Sequence, residues 1–285
     1  MKIEVRTVTK KYRQTDALKD VSFILNEPKI YGLLGRNGAG KTTFMEILAG
    51  HQLVTQGEVL INGINPFDNR NIVENICLIK EGDNFHKDMR INQVLQSYAL
   101  FYPNWDQALA DKLIEEYKLN KKSRIKTLSK GMASALGVIV GLASKAPITI
   151  FDEPYIGMDA AARKKFYDIL LEEYEREKRT VIFSTHLIDE VSLLFEEVLI
   201  LQEGKLILQE TADVLRDQTF TVTGEKTEVE KFICNKKVMK TKQLANMMTA
   251  YIYGDKAEAQ KTNLQVEGIP IQDLMIYLTE SGKGA

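Results

Sequence analysis

Apolar positions along this chain follow two periods. Ile3, Val5 and Val8 alternate with polar residues, as in a half-exposed strand. Short, nearly continuous apolar runs then recur at Val21 to Leu25, Ile30 to Leu34, Ile72 to Ile79, Ile148 to Phe151 and Val181 to Phe183. Runs of that length read as buried strands. Glu58 to Asn62 adds another strand, and Val198 to Leu201 with Leu206 to Leu208 reads as a hairpin turning at Glu203-Gly204. Between these runs the spacing becomes helical: Phe44, Met45, Ile47 and Leu48, then Val94, Leu95, Tyr98 and Phe101 on one face, then Phe166, Ile169 and Leu170. Strands interleaved with amphipathic helices predict an α/β domain.

Two stretches depart from that rhythm. From about residue 84 to 145 the pattern is helical, and aromatic residues gather at Phe85, Tyr98, Phe101, Tyr102 and Trp105. Asp106 stands where it would cap a helix carrying Leu109, Leu113 and Tyr117. This reads as a helical insertion whose aromatics either build core or dock a partner. The docking alternative expects some of Phe85, Met89, Phe101, Tyr102 and Trp105 to stay exposed. After Thr211 no cluster of chemistry-bearing residues appears. Strands are expected at 220–222, 238–239 and 251–253, and helices at 226–234, 255–262 and 271–281. The expected division is therefore a large domain over 1–211 and a small α/β domain over 212–285.

The strand at Ile30 to Leu34 runs straight into Gly35-Arg36-Asn37-Gly38-Ala39-Gly40-Lys41-Thr42, which fits G-x-x-x-x-G-K-[ST] at every fixed position. Polyphosphate needs many donors and little bulk. Gly35, Gly38 and Gly40 let the backbone curl so that its N–H groups form an anion nest. The helix that follows adds free N–H groups and the positive end of its dipole. Lys41 would reach the β- and γ-phosphates, and the Thr42 hydroxyl would ligate Mg²⁺, a hard ion that prefers oxygen. Gly50 suits the stop of that helix.

Further candidates stand at strand ends. Asp152 and Glu153 close the apolar strand Ile148 to Phe151, an unfavourable place for two carboxylates unless a cation answers them. Asp152 would hold Mg²⁺, and Glu153 would polarise an attacking water as general base. His186 ends the strand at Val181 to Phe183, where it would donate to a γ-phosphate or serve as a structural histidine. Glu81, at the end of the Ile72 to Ile79 run, is a Mg²⁺ or water contact or an exposed glutamate. Tyr12, in Lys10-Lys11-Tyr12-Arg13, would stack on adenine or close the core at a strand end. Ser129 in Leu128-Ser129-Lys130-Gly131-Met132 opens an apolar helix and offers another anion-binding helix start.

Bulk properties narrow the function classes. The 285 residues carry a net charge of −1, so no basic field draws the chain to nucleic acid. The cysteines, Cys77 and Cys234, lie far apart without metal-type spacing and read as reduced core thiols, which suits the cytosol. The first residues are charged and strand-like rather than a signal peptide. Ala133 to Ala143 is the longest mostly apolar stretch and too short to span a bilayer, so a membrane role is expected to run through a partner.

Tyr12, the glycine-rich loop, Glu81, LSKGM, ITIFDE, GMD and STH stand in one fixed order. Together they closely resemble the nucleotide-binding subunit of an ATP-binding cassette (ABC) transporter over roughly the first 210 residues. The resemblance implies a P-loop NTPase of ABC type with an antiparallel β subdomain and a helical insertion. It implies that Tyr12 stacks on adenine and that Gly35 to Thr43, including Thr43, form the Walker A loop. Asp152 and Glu153 become the Walker B pair, Asp159 the D-loop aspartate and His186 the switch histidine. Ser129 and Gly131 become signature residues that contact ATP held by a second ABC subunit, identical or different.

The nearest flavour is the short bacterial cassette paired with a separate ABC-2-type permease, as in exporters of peptides and antimicrobials. That implies ATP and Mg²⁺ as cofactors, and a cytoplasmic subunit peripheral on the inner face of the membrane. Lys130 and Met132 replace the third and fifth residues of the usual LSGGQ signature. Glu81 takes a place usually held by glutamine, and Tyr155 replaces a usual threonine. None of these removes a catalytic group, so an active ATPase is expected. The alternatives are a soluble ABC ATPase acting on ribosomes or DNA, and a regulatory ATP-binding module. The single motif set, the short insertion and the intact Glu153 and His186 argue against them.

Overall fold

A computed structural model describes residues 1–280. The chain opens with β1 (Ile3–Tyr12) and β2 (Thr15–Leu25), a hairpin paired as far as Tyr12 opposite Thr15. β3 (Ile30–Leu34) leads through the glycine-rich loop into α1 (Lys41–Leu48), and β4 (Gln56–Ile61) returns to pair with β1. β2-β1-β4 is thus a three-stranded antiparallel sheet.

The run Ile72 to Ile79, expected as one strand, divides into a short helix α2 (Arg70–Val73) and a strand β5 (Ile76–Ile79). β5 pairs only with Ile148 to Phe151, and Pro147 precedes that partner, so the ladder has nothing regular to extend along before Ile76.

Three helices follow: α3 (Ile91–Phe101), α4 (Gln107–Glu116) and α5 (Lys130–Ala143). Asp106 caps α4 as expected, accepting from Leu109 N at 2.9 Å. The chain then alternates through β6 (Ile148–Asp152), α6 (Ala160–Arg176), β7 (Thr180–Ser184), the short α7 (Ile188–Val191) and the hairpin β8 (Glu197–Gln202) and β9 (Lys205–Thr211). The main sheet has the order β5-β6-β7-β3-β8-β9, parallel except for β9.

Strand parity divides the core. Ile30, Leu34, Phe151, Val181 and Phe183 face α3 to α7. Tyr31, Leu33, Ile148, Ile150 and Ile182 face the antiparallel sheet and α1. Side chains alternate along a strand, so Asp152 and Ser184 share the face of Ile150 and Ile182 and point towards α1. The carboxyl ends of β3, β6 and β7, side by side in a parallel sheet, therefore lie at the start of α1.

Beyond β9, α8 (Ala212–Gln218) still packs on the main core through Ala212 and Leu215. There follow β10 (Thr219–Glu225), α9 (Lys226–Ile233), β11 (Lys237–Leu244), β12 (Met247–Tyr253), α10 (Lys256–Ala259) and β13 (Gln265–Gly268). Their sheet order, β11-β12-β10-β13 with all neighbours antiparallel, is the split βαβ arrangement. Phe220, Val222, Val229, Ala250 and Ile252 give it a core of its own. The last helix, α11 (Ile271–Glu280), returns to the main core through Ile271, Leu274 and Tyr277, and Gln202 Nε2 donates to Thr279 O at 2.8 Å.

Candidate nucleotide site

A cleft of about 520 Å³ lies at the carboxyl ends of β3 and β6, where open parallel sheets bind their ligands. The glycine-rich loop forms its floor. Gly40 has φ 106°, and a Cβ there would meet Ala17 O at 2.5 Å, so only glycine fits the step into α1. Gly35 is pinned in the same way, 2.4 Å from Leu201 O. No described side chain caps α1, which leaves its first N–H groups for a ligand. Asn37, Gly38, Ala39, Gly40, Lys41, Thr42 and Thr43 line the cleft. Arg36 instead borders a smaller cleft shared with Gln202 and Thr279.

Lys41 is buried, and its Nζ donates to Gly35 O at 2.8 Å. Burial depresses its pKa, and the nearby Glu153 and Asp152 charges oppose that shift. Thr42 Oγ1 donates to Asp152 Oδ2 at 2.7 Å, and the Ser184 hydroxyl donates to the other oxygen. Asp152 is 4% exposed, yet both its oxygens are satisfied. Among the described residues no group of three His, Cys, Asp or Glu side chains could by itself hold a metal. The Thr42–Asp152 oxygen pair suits Mg²⁺, which takes few protein ligands and completes its shell with phosphate oxygens and water.

Glu153 sits at φ 50°, a left-handed conformation rare for a residue with a side chain. Its carboxylate meets His186 Nδ1 and accepts from the Tyr155 hydroxyl at 3.0 Å. Glu81 and Tyr12 stand on the cleft wall. Tyr12 is 41% exposed, its hydroxyl bonded to Gln52 and Lys10 Nζ 4.9 Å from the ring centroid, so the ring is not a core plug.

Besides Gly35 and Arg36, three further expected site residues lie outside this cleft. Ser129 is exposed and caps α5, its Oγ accepting from Met132 N at 3.2 Å. Gly131 packs against the turn at Gly157, and Asp159 caps α6 by accepting from Ala162 N at 2.8 Å. They form a separate surface, with the start of α5 against the turn that precedes α6. Sequence reasoning missed Thr15, Asp16 and Ala17, which line the cleft from β2, and gave no role to Ser184, Thr185 or Tyr155. The β2 residues carry no sequence signal. Tyr155 carried one, as a departure from the pattern that nothing local explained.

The ABC transporter family model matches residues 18–156. The ABC transporter ATP-binding protein MJ1023 of Methanocaldococcus jannaschii is 32% identical over 200 residues, which are 68% of this chain and 71% of that protein. The chain belongs to the ABC transporter family. Among other ABC relatives, YtrB of Bacillus subtilis, an ABC transporter ATP-binding protein, is 25% identical over 189 residues, 66% of this chain and 65% of YtrB. The bacitracin transport ATP-binding protein BcrA of Enterococcus faecalis is 29% identical over 192 residues, 66% of this chain and 62% of BcrA.

Solved ABC cassettes share the fold. The ATP-binding subunit of an ABC transporter superposes with a TM-score of 0.68 at 24% identity, covering 76% of this chain and 92% of that one. The dimeric bacterial cassette MJ0796 gives 0.66 at 23%, covering 74% and 98%. The expected ABC fold, with its antiparallel β subdomain, helical insertion and small C-terminal α/β unit, is the one observed.

Proposed function

We propose that this chain is the ATP-binding and ATP-hydrolysing subunit of a bacterial ABC transporter, built as a cassette over 1–211 with 212–285 as an accessory unit. The observation that carries the reading is convergence in one cleft. A phosphate-type loop, a hydroxyl–carboxylate pair and a glutamate–histidine pair meet at the ends of neighbouring strands.

In this reading Lys41 and the N–H groups from Gly38 to Thr43 bind and orient the phosphates of ATP, with Arg36 and Gly35 shaping the loop. Thr42 and Asp152, with Glu81 from the same cleft, would hold Mg²⁺, and the ion would neutralise phosphate charge. Tyr12 offers its ring to adenine. Glu153 accepts the proton of the attacking water, and His186 shares that carboxylate through Nδ1, leaving its other ring nitrogen for the terminal phosphate.

Ser129, Gly131 and Asp159 lie outside this cleft, which supports a second cassette, identical or different, whose signature surface completes the site. ATP would then hold two subunits together, and hydrolysis would release them. A separate integral-membrane permease is the proposed partner, with no nucleic acid involved. Among the described residues no helix is long and apolar enough to cross a membrane. Leu100 is 89% and Phe101 46% exposed at the end of α3, beside a cleft lined by His51, Arg70 and Tyr98, and this is the proposed docking edge. Tyr102 is buried, and Phe85, Met89 and Trp105 are half-buried, so most of the aromatic cluster is core. The proposed cargo is a peptide, antimicrobial or other amphipathic molecule, moved by export from a cytoplasmic position on the inner face of the membrane; the likeness to BcrA, a bacitracin transport ATP-binding protein, supports the transport of such a cargo.

Glu153→Gln tests the reading. It keeps the shape of the base and removes its charge, so ATP binding should persist while steady-state hydrolysis falls by a hundredfold or more, on the order expected for a general base. Hydrolysis near the wild-type rate would sink the assignment.

A further inference from the structure

Tyr155 is the buried hub of the reacting end of the cleft. It is 2% exposed, and its ring lies nearly parallel to that of Phe183, at 18°. Its hydroxyl reaches Glu153 Oε2 at 3.0 Å, Thr185 Oγ1 at 2.6 Å and His186 N at 3.2 Å. Burial pushes the phenol's pKa up, so the hydroxyl keeps its proton.

The direction of each bond follows from the donors present. A carboxylate accepts only, so the single phenolic proton goes to Glu153. The His186 N–H donates to the phenol oxygen. With the phenolic proton committed to Glu153, the proton between Thr185 Oγ1 and Tyr155 is the threonine's own, and Thr185 Oγ1 in turn accepts from Leu187 N at 2.8 Å. The chain runs Leu187 N–H, Thr185 O–H, Tyr155 O–H, Glu153 carboxylate. Reversing the middle step would set the phenol's lone pairs against the carboxylate oxygen.

Glu153 needs such a tether. It combines φ 50° with a position immediately before Pro154, which disfavours helical backbone angles. Tyr155 ties the end of β6 to the segment after β7 at the one point where both proposed reacting side chains leave the sheet.

We propose that Tyr155 is a positioning residue for hydrolysis, holding the Glu153 carboxylate and the His186 backbone in register through its hydroxyl. The inference rests on Glu153 being the base. Tyr155→Phe keeps the ring and its packing. It should lower kcat about tenfold, the factor for a hydrogen bond to a charged group, with KM for ATP and the melting temperature unchanged. Thr185→Val removes only the donor behind the phenol and should lower kcat by a smaller factor, about threefold.

The deciding measurement is single-turnover hydrolysis of ATP·Mg²⁺ in the Glu153→Gln background. There the added Tyr155→Phe should change the residual rate by less than about twofold, because coupled residues are non-additive. A merely structural tyrosine would slow both backgrounds equally, and that result overturns the inference. So does a wild-type kcat for Tyr155→Phe while Glu153→Gln is inactive, an outcome that leaves the general-base reading standing. Full activity of Glu153→Gln alone would overturn both.

Discussion

A Cβ placed on Gly131 would lie 2.3 Å from the carbonyl oxygen of Gly157. The second residue of α5 and the turn before α6 are thus in backbone contact, and Ser134 Oγ reinforces the joint by donating to Ile156 O at 2.7 Å. The LSKGM segment is locked to the loop that follows the Asp152–Glu153 strand of its own chain.

Gly131→Ala places a methyl group against a backbone oxygen that cannot swing away. We expect a loss of about 1–3 kcal/mol in stability, the usual range for overpacking, read from chemical denaturation. A variant as stable as the wild type would show that the joint opens freely.

Ser129 is exposed, so Ser129→Arg should leave folding and ATP binding by the chain's own loop intact. If a second cassette completes the site, Glu153→Gln should move from monomer to dimer when ATP and Mg²⁺ are added, but not with ADP. Ser129→Arg in that background should abolish the shift. Light scattering on both proteins decides, and a double variant that still dimerises with ATP removes Ser129 from the interface.

Glu190 on α7 receives Arg163 of α6 in a two-pronged pair, at 2.7 and 2.9 Å. The Arg163 hydrogen bond holds the Glu190 carboxyl below its ordinary 4.5, with the His186 charge adding to the effect. A depressed carboxylate pKa stabilises the fold fully above the unfolded value, and that gain is lost as pH falls through the folded value. Screening at this partly exposed pair keeps it below about 1 kcal/mol. The melting temperature of the wild type should therefore exceed that of Glu190→Gln at pH 7, and the gap should close below pH 4.5. A gap that persists unchanged in acid would mean the pair acts through packing rather than charge.

The glycine-rich loop was legible in the sequence because its requirements are local. Gly40 must turn the backbone and Lys41 must start a helix, whatever lies further along. Asp152 and Glu153 were legible for a similar reason, since two carboxylates after the buried, mostly apolar run Ile148 to Phe151 mark a strand end. The Ile72 to Ile79 run misled because apolar periodicity records burial and not partnership. Its first two residues end a short helix in which Ile72 is buried, where the neighbouring strand gives no ladder.

By itself, then, the sequence determined the family, the loop, the order of the motifs and the α/β class, all properties of contiguous residues. Tertiary structure decided which of those residues meet. The register that sets Asp152 beside Ser184 brings Tyr155 to Thr185 and His186, and no local pattern states that β6 and β7 are neighbours. It also decided that Ser129, Gly131 and Asp159 leave the cleft, and that α11 returns from the split βαβ sheet to the main core. These are choices of partner among many equally apolar or polar surfaces. Packing and hydrogen-bond direction make them only once the whole chain is in place.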